Sequence, residues 1–430
     1  MTTEKKSYAL PIIMMIALFG MIAFVTNLAA PMGQVLKVQF GASNFQGLLG
    51  NAANFIAYAV MGIPAGILVQ RLGYKKTALI AIAIGFLGVF VQFLSGHMPQ
   101  NAAFSIYLLG AFVAGFSMCL LNTVVNPMLN TLGGSGNKGN QLIQVGGSFN
   151  SLMATLTPAL VGIVLGVAIK GETTNISISI KDVFPLLYIA MGIFALVFLV
   201  MLVVKIPEPH ISHGKEPLKQ LITGALKYKH FVLGAIAIFV YVGIEVGTPG
   251  IMILWLSPEI GAESAMSLAS AYWLLMLLGR ILGASVGNKI SSQLMLSVMS
   301  AVGLVLIILT LLFPTSNMVS IPAVGEVYLF GENLVPINAI FIVLVGLCTS
   351  IMWGSIFNLA VEGLGKYTAA ASGIFMVMVC GGGILPAIQG YVADKAGYLI
   401  SYLVIFVGLA YLLFYALTGS RIRNKEIQTQ

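Results

Sequence analysis

Long apolar runs separated by short polar intervals make up most of the chain. A helix needs about 20 predominantly apolar residues to cross the hydrocarbon core of a bilayer. Breaking the chain at its charges and at clusters of Gly, Asn, Ser and Pro predicts twelve such segments. They are 8–31, 45–69, 77–95, 105–130, 144–169, 184–205, 231–256, 267–288, 293–313, 335–360, 368–392 and 398–419. The pattern therefore predicts an all-α integral membrane protein with twelve transmembrane helices.

The composition of the 430-residue chain supports this fold class. Hydrophobic residues make up 59% of it and charged residues only 8%, whereas a soluble domain carries about 25% charged residues. So few charges could not cover a water-exposed surface, and most of the surface must face lipid. The first apolar run is free of charge from Ser7 to Leu36, much longer than the roughly 7–15 apolar residues of a signal peptide. We interpret it as the first span.

The basic residues are distributed unequally between the two sides of the membrane. With the N-terminus in the cytoplasm, sixteen Lys and Arg residues fall on the cytoplasmic side. The other side receives four, namely Lys37, Lys170, Lys181 and Lys395. Because Lys and Arg are enriched in cytoplasmic loops, we expect both termini in the cytoplasm and the protein in the inner or plasma membrane. The formal net charge of +8 then reflects topology and does not indicate nucleic-acid binding.

The longest polar and basic interval, 206–230, divides the spans into six and six. The predicted domains are an N-terminal six-helix bundle (1–205), a central cytoplasmic loop (206–230) and a C-terminal six-helix bundle with a short cytoplasmic tail (231–430). The halves share a spacing, because Asn126 and Asn358 each stand seven residues before a glycine, at Gly133 and Gly365. Two pseudo-symmetric six-helix bundles resemble the major facilitator architecture, in which substrate binds near the membrane midplane between the halves.

Two charged residues lie well within predicted spans, Glu245 in the seventh and Arg280 in the eighth. A charge at the centre of a membrane helix costs about 2.5–3.5 kcal/mol on insertion scales, so such residues usually serve a function. Glu245 could accept a substrate hydroxyl or take up the proton that drives transport, and Arg280 could hold a gate shut. A structural ion pair between the two is the alternative interpretation, and both roles can coexist.

Uncharged polar side chains are frequent within the spans, and asparagine, a poor helix former, is prominent among them. An amide offers both a donor and an acceptor, which suits a neutral polyhydroxylated ligand better than an ion. Aromatic side chains could form walls of the same pocket, although each is also an ordinary packing residue. With Glu245, the predicted substrate-binding residues are Asn27, Asn122, Asn126, Asn150, Asn358, Trp273 and Trp353. Tyr272 is a further candidate for an aromatic wall, while Asn51 and Asn54 are expected to bridge helices.

The loop after the second span reads GIPAGILVQRLGYKK. Gly66, Arg71, Gly73, Lys75 and Lys76 fit the loop signature G-x-x-x-D-R-x-G-x-R/K-R/K of major facilitator proteins, except that Gln70 replaces its acid. A glycine turn and a basic cluster can bind helix C-termini and hold a gate closed, and plain membrane topology is the alternative. The four histidines lack metal-ligand spacing, and the sequence contains no phosphate-binding loop. We therefore expect no enzyme activity, no metal and no cofactor.

The segment Ser350–Gly397 closely resembles the tenth and eleventh helices of the fucose/glucose–galactose:proton symporter family. Asn44–Lys76 is also similar to that family, and the resemblance extends over nearly the whole chain. The resemblance implies uptake of a hexose or deoxyhexose by alternating access, usually driven by protons. It also implies that Asn27 belongs to the family's asparagine-rich first-helix segment and that Glu245 matches the acid of the glucose–galactose branch.

This chain departs from that family at positions that matter for coupling. Two acids of the family fall on Ala30 and Asn122, and Trp353-Gly354 replaces an aromatic–proline pair. We predict a secondary transporter that imports a hexose or related sugar, coupled to protons through Glu245, as a monomer in the lipid bilayer. The alternatives are an uncoupled sugar uniporter, a carrier of another small solute such as a nucleoside, amino sugar or drug-like amphiphile, and a transporter-like sensor.

Overall fold

The computed structural model describes residues 8–132, 137–170, 178–206, 218–286, 290–320, 334–364 and 367–422. Gly133 and Gly365 of the predicted repeat, and residues 207–217 of the predicted central loop, lie outside the described residues. The helices are α1 (Ala9–Phe40), α2 (Asn44–Gly47), α3 (Leu49–Leu72), α4 (Tyr74–Ser95), α5 (Gln100–Leu132), α6 (Asn137–Lys170), α7 (Phe184–Val203), α8 (Leu218–Ala225), α9 (Lys229–Ile260), α10 (Ala262–Val286), α11 (Ser292–Leu312), α12 (Ile337–Thr349), α13 (Met352–Val361), α14 (Thr368–Met378), α15 (Gly381–Ala396) and α16 (Tyr398–Phe414). A 3-10 turn (Ile180–Val183) precedes α7, a π-helical turn (Tyr415–Gly419) follows α16, and β1 (Met318–Ser320) and β2 (Leu334–Pro336) are short strands.

Twelve helical spans in the described residues are long and apolar enough to cross a membrane. They coincide one for one with the twelve predicted segments, although most boundaries move by several residues. The tenth span consists of α12 and α13, and the eleventh is formed by α14 and α15. The predicted all-α membrane fold is therefore confirmed.

The predicted end of the first span at residue 31 is wrong, because α1 continues through Pro31 to Phe40. A proline removes one backbone hydrogen bond from a helix, which membrane helices tolerate where neighbouring groups satisfy the freed carbonyl. The extension is held by burial, since Val35 and Leu36 are fully buried. The helix ends where Gly41 adopts a left-handed φ of 59°, a conformation that glycine reaches at little cost.

Alternation of twelve spans places the start of α1 and the end of the last span on the same side of the membrane. We call this the terminal side and the opposite one the distal side. The β1–β2 hairpin joins α11 to α12 on the distal side, with Val319 opposite Val335 in an antiparallel pair. Helix α8, which precedes the seventh span, lies on the terminal side.

Small residues allow neighbouring helices to approach closely. A Cβ added at Gly88 of α4 would lie 2.5 Å from the backbone nitrogen of Ala114 on α5. A Cβ added at Gly383 of α15 would lie 2.8 Å from the backbone oxygen of Ala52 on α3. In lipid, where burial of apolar surface does not drive helices together, such backbone approach is a main source of association energy.

The first six spans and the last six meet along two seams. Helix α3 packs against α14 and α15, and α6 packs against α10. Helix α1 also contacts α9, and elsewhere between the seams the helices of the two halves diverge and leave an internal space. The predicted domain boundaries, 1–205, 206–230 and 231–430, stay a prediction.

Candidate transport site

A cavity of about 1060 Å³ lies between the two halves. The first half contributes α1, α3, α5 and α6 to its wall, and the second half contributes mainly α9, α10 and α13. The lining includes every residue that the sequence predicts to bind substrate, namely Asn27, Asn122, Asn126, Asn150, Glu245, Trp273, Trp353 and Asn358, together with Arg280. The fold thus brings these residues into one chamber, while their roles stay a prediction.

Four asparagines form the polar wall of the first half, and each directs its amide nitrogen into the protein. Nδ2 of Asn27 donates to the Ala23 backbone oxygen (2.9 Å), and Nδ2 of Asn122 donates to the Tyr58 hydroxyl (3.0 Å). Nδ2 of Asn126 donates to the Asn122 backbone oxygen (3.0 Å), and Nδ2 of Asn150 donates to the Phe19 backbone oxygen (3.1 Å). Within the described part of the chain, no protein donor contacts the four amide oxygens. The wall therefore presents fixed hydrogen-bond acceptors to the cavity.

The opposite wall carries an ion pair. Nη2 of Arg280 on α10 lies 3.5 Å from Oε1 of Glu245 on α9. Nη1 of Arg280 donates to the hydroxyl of Ser151 on α6 at 2.7 Å. The side chains of Arg280 and Glu245 are 25% and 15% exposed, so both are accessible from the cavity that they line. Arg280 therefore links Glu245 of the second half to Ser151 of the first half. It forms an ion pair and also lines the cavity.

The aromatic residues divide into lining and packing residues. Trp353 lines the cavity, and its ring lies 6.1 Å from that of Tyr241 behind it. Trp273 also lines the cavity, although only 8% of it is exposed. Tyr272 does not line it, because its side chain is fully buried between α10 and α12 with its hydroxyl 3.1 Å from that of Thr349. The candidate wall residue Tyr272 is thus a packing residue.

A polar cluster joins the two halves on the distal side, and we call it the distal latch. It consists of Lys37, Asn44, Phe45, Asp394 and Tyr398. The carboxylate of Asp394 accepts hydrogen bonds from the backbone nitrogens of Asn44 (2.8 Å) and Phe45 (2.9 Å). Lys37 Nζ donates to Asn44 Oδ1 (2.7 Å) and to the Tyr398 hydroxyl (2.5 Å). Residues from α1 and α2 are thereby held to residues from α15 and α16.

The cavity is closed toward the distal side and reaches the terminal side. Beside the latch, Leu48 is 1% exposed and lies against Gly250 of α9 and Gly390 of α15. At the other end, the lining continues to Val145, near the terminal end of α6, and to Ser292, at the first residue of α11. The two halves are therefore in contact on one side of the cavity and apart on the other.

Comparison with known proteins identifies the family. The model of the Major Facilitator Superfamily matches residues 12–387. The chain belongs to this superfamily. It is 28% identical to the glucose/galactose transporter of Brucella abortus over 429 residues, which cover 98% of this chain and 96% of that protein. It is 23% identical to the L-fucose-proton symporter of Escherichia coli over 424 residues, or 92% of this chain and 89% of that protein.

The fold of this superfamily member also resembles a solved structure. It superimposes on a crystal structure of the Escherichia coli fucose:proton symporter with a TM-score of 0.68 at 20% identity, covering 97% of this chain and 100% of that one. The predicted membership of the sugar-symporter branch is confirmed by these relatives. The protein is accordingly a multi-pass membrane transporter and not an enzyme.

The loop signature of the transporter acts within one half in this conformation. Gly73, between α3 and α4, has a φ of 81°, which explains why glycine stands there. Lys75 Nζ donates to the backbone oxygens of Leu202 (3.0 Å) and Val204 (2.7 Å) at the C-terminus of α7. The basic cluster thus binds a helix C-terminus, as expected, and ties α4 to α7. A gating role for Gly66, Arg71, Gly73 and Lys75 stays a prediction.

Sequence reasoning missed two kinds of residue in this transporter. Tyr58 lines the cavity and orients Asn122, and its position seven residues after Asn51 on the same face of α3 was an available signal. Asn51 itself bridges helices as expected, because its Nδ2 donates to the Gly382 oxygen at 2.7 Å. The latch residue Asp394 was missed because no local pattern connects it to Asn44, 350 positions away.

Proposed function

We propose that this transporter imports a hexose or a related sugar by alternating access, coupled to protons through Glu245. The observation that carries the proposal is the cavity itself, where an asparagine wall faces an acid–arginine pair and two tryptophans. Sugar hydroxyls need donors and acceptors at fixed positions, and sugar rings need apolar faces against which to lie. The names of the relatives, a glucose/galactose transporter and an L-fucose-proton symporter, support the same substrate class.

Proton coupling is proposed from the position of Glu245. Among the described residues that line the cavity, Glu245 is the acidic one, and Arg280 is the basic one. A carboxylate that reaches cavity water can exchange a proton with the side to which the cavity opens. Sugar and proton then bind in the same cavity, so that both affect one conformational equilibrium.

An uncoupled uniporter is the second candidate, and two residues favour it. Ala30 and Asn122 occupy positions where the sequence resemblance implies acids, and both line the cavity without a charge. If Glu245 serves only as the structural partner of Arg280, the remaining lining offers no proton acceptor among the described residues.

The orientation that fits import follows from the basic residues. We propose that the terminal side faces the cytoplasm of a cell with an inner or plasma membrane, because most Lys and Arg residues lie there. The conformation described above is then open to the cytoplasm, with the distal latch closed toward the outside. We propose further that a monomer suffices, since the cavity is built from one chain.

The test is uptake of a panel of radiolabelled hexoses into proteoliposomes with and without an imposed pH gradient. We expect saturable hexose uptake that accumulates when the outside is more acidic. Hexose flux that ignores the gradient would establish the uniporter. Saturable flux of a nucleoside or amino sugar without hexose flux would overturn the sugar proposal.

Substitution of the acid separates coupling from binding. We expect Glu245→Gln to abolish accumulation while retaining sugar counterflow, because counterflow needs substrate exchange but no proton release. Glu259→Gln is the matched control, since Glu259 lies near the distal end of the same helix, bonded to Trp255 Nε1 at 3.1 Å. Accumulation that survives in Glu245→Gln would exclude the coupling role.

A further inference from the structure

Two buried glutamines in the closed distal half have side-chain atoms without hydrogen-bond partners. Gln389 of α15 is fully buried, and neither its Oε1 nor its Nε2 has a partner in the described residues. Gln34 of α1 is 7% exposed, and its Oε1 has no partner there either. Buried polar groups are almost always paired in native proteins, so each exception needs a physical reason.

Gln34 lies on the face of α1 that lines the cavity. Ala23, Asn27, Ala30 and Pro31 line it, and residues three or four positions apart share a helix face. Gln34 follows in this series, one turn beyond the last lining residue toward the distal side. The face of α1 that lines the cavity therefore continues into the closed distal region, where it carries the side-chain amide of Gln34.

Gln389 occupies the equivalent place on α15. Gly382 packs against Phe55 and Val242, two residues that line the cavity. Gln389 stands seven residues later, on the same face and two turns closer to the distal side. It also lies against α9, since a Cβ added at Gly247 would be 2.7 Å from Gln389 Oε1.

Both amides lie between the cavity and the distal latch. Lys37 follows Gln34 by three residues and Asp394 follows Gln389 by five, which is about 4.5 Å and 7.5 Å along a helix axis. Opening of the latch would separate α1 and α2 from α15 and α16 and hydrate the space between. The two glutamines would then face the path by which a solute reaches the cavity from the distal side.

We propose that Gln34 and Gln389 form a distal sugar subsite that binds hydroxyl groups in the conformation open to the distal side. This inference rests on the proposed sugar transport. An amide can donate to one sugar hydroxyl and accept from another, so bound sugar supplies the partners that both glutamines lack here. Closure of the latch strips these partners away as the sugar moves to the asparagine wall.

The test compares a hexose with its monodeoxy analogues as external inhibitors of labelled hexose uptake in right-side-out vesicles. For the wild type we expect one hydroxyl whose removal weakens inhibition about tenfold, the effect of one lost hydrogen bond to a site built for it. In Gln389→Leu the parent and that deoxy sugar should inhibit equally. Gln34→Leu should cancel the preference at the same hydroxyl.

The ratio of inhibition by the parent hexose to inhibition by its deoxy analogue distinguishes a direct contact from a shift in conformation. A variant that merely favours the closed state weakens the parent and the deoxy sugar by the same factor, so the ratio between them stays unchanged. Asn54→Leu is the matched control, because Asn54 is also a buried amide with an unpartnered Oδ1, but its backbone packs against Gly115 of α5 within the first half. We expect it to retain the wild-type ratio.

Several outcomes would overturn the subsite. Unchanged ratios at every hydroxyl in both glutamine variants would contradict it, as would equal loss of preference in Asn54→Leu. If Gln389→Leu does not reach the membrane, Gln389→Met, which keeps the side-chain length without the amide, is measured in its place. Absence of saturable hexose uptake in the wild type would instead refute the proposed function, which separates the two failures.

Discussion

Asp394 holds the distal side closed through a geometry whose strength can be estimated. Its carboxylate accepts two backbone N–H bonds at 2.8 and 2.9 Å across the halves. Hydrogen bonds to charged groups contribute about 1.5–3 kcal/mol each, but Asp394 is an exposed residue, so solvent reduces this. In Asp394→Asn one amide oxygen replaces two charged ones. We estimate a net loss of about 1–2 kcal/mol from the closed state.

Such a loss corresponds to an increase of about 5–30-fold in the ratio of distal-open to distal-closed molecules. A cysteine at Leu48 reports this ratio, since Leu48 is 1% exposed and lies between the halves. The described native cysteines, Cys119, Cys348 and Cys380, are all buried and free, so background labelling should be low. We expect an impermeant maleimide to label Leu48→Cys about 5–30 times faster when Asp394→Asn is also present.

The matched control is Asp182→Asn. Asp182 also accepts a backbone N–H bond on the distal side, from Ser179 at 2.7 Å, but within the first half. It should leave the labelling rate of Leu48→Cys unchanged. Equal rates with and without Asp394→Asn, or equal acceleration by Asp182→Asn, would refute the assignment of the latch.

Three further predictions concern packing and the cavity. Gly88→Leu should lower the melting temperature of the detergent-solubilised protein, because overpacking costs about 1–3 kcal/mol or more, whereas Gly192→Leu should not, since a Cβ there meets nothing within 4 Å. Tyr58→Phe should raise the KM for sugar by about two- to tenfold, because loss of the hydroxyl frees the Asn122 amide; an unchanged KM would show that its orientation is unimportant. Arg280→Gln should reduce the rate of sugar uptake at least tenfold. In the double variant Arg280→Gln/Glu245→Gln, the uptake rate should fall by less than the two single variants' losses combined, which a double-mutant cycle of uptake rates measures.

The polar residues inside the spans show how far local sequence predicts a site. An asparagine or acid that faced lipid would lack partners, so a membrane helix turns such residues toward other helices or water. That constraint acts on each residue separately, whatever the fold. Asn27, Asn122, Asn126, Asn150, Glu245 and Asn358 could therefore be selected from the sequence, and all of them line one cavity.

The aromatic residues mark the limit of this reasoning. Tyr272 and Trp273 are adjacent and both tolerate an apolar setting, yet Tyr272 is buried against α12 while Trp273 lines the cavity. Neighbouring positions on a helix point about 100° apart, and the rotation of α10 that selects between them is set by its packing partners. Because an aromatic side chain is stable in either setting, the sequence alone does not indicate which of the two residues lines the cavity.

The sequence by itself determined the class, the twelve spans and the polar residues of the interior, because the bilayer penalises charge and unpaired backbone at every position independently. Tertiary structure alone decided that Asp394 reaches Asn44, that Arg280 reaches Ser151, and which side of the cavity is closed. Those contacts join residues that lie 350 and 129 positions apart in the chain, and only the packing of whole helices brings such partners within hydrogen-bond distance.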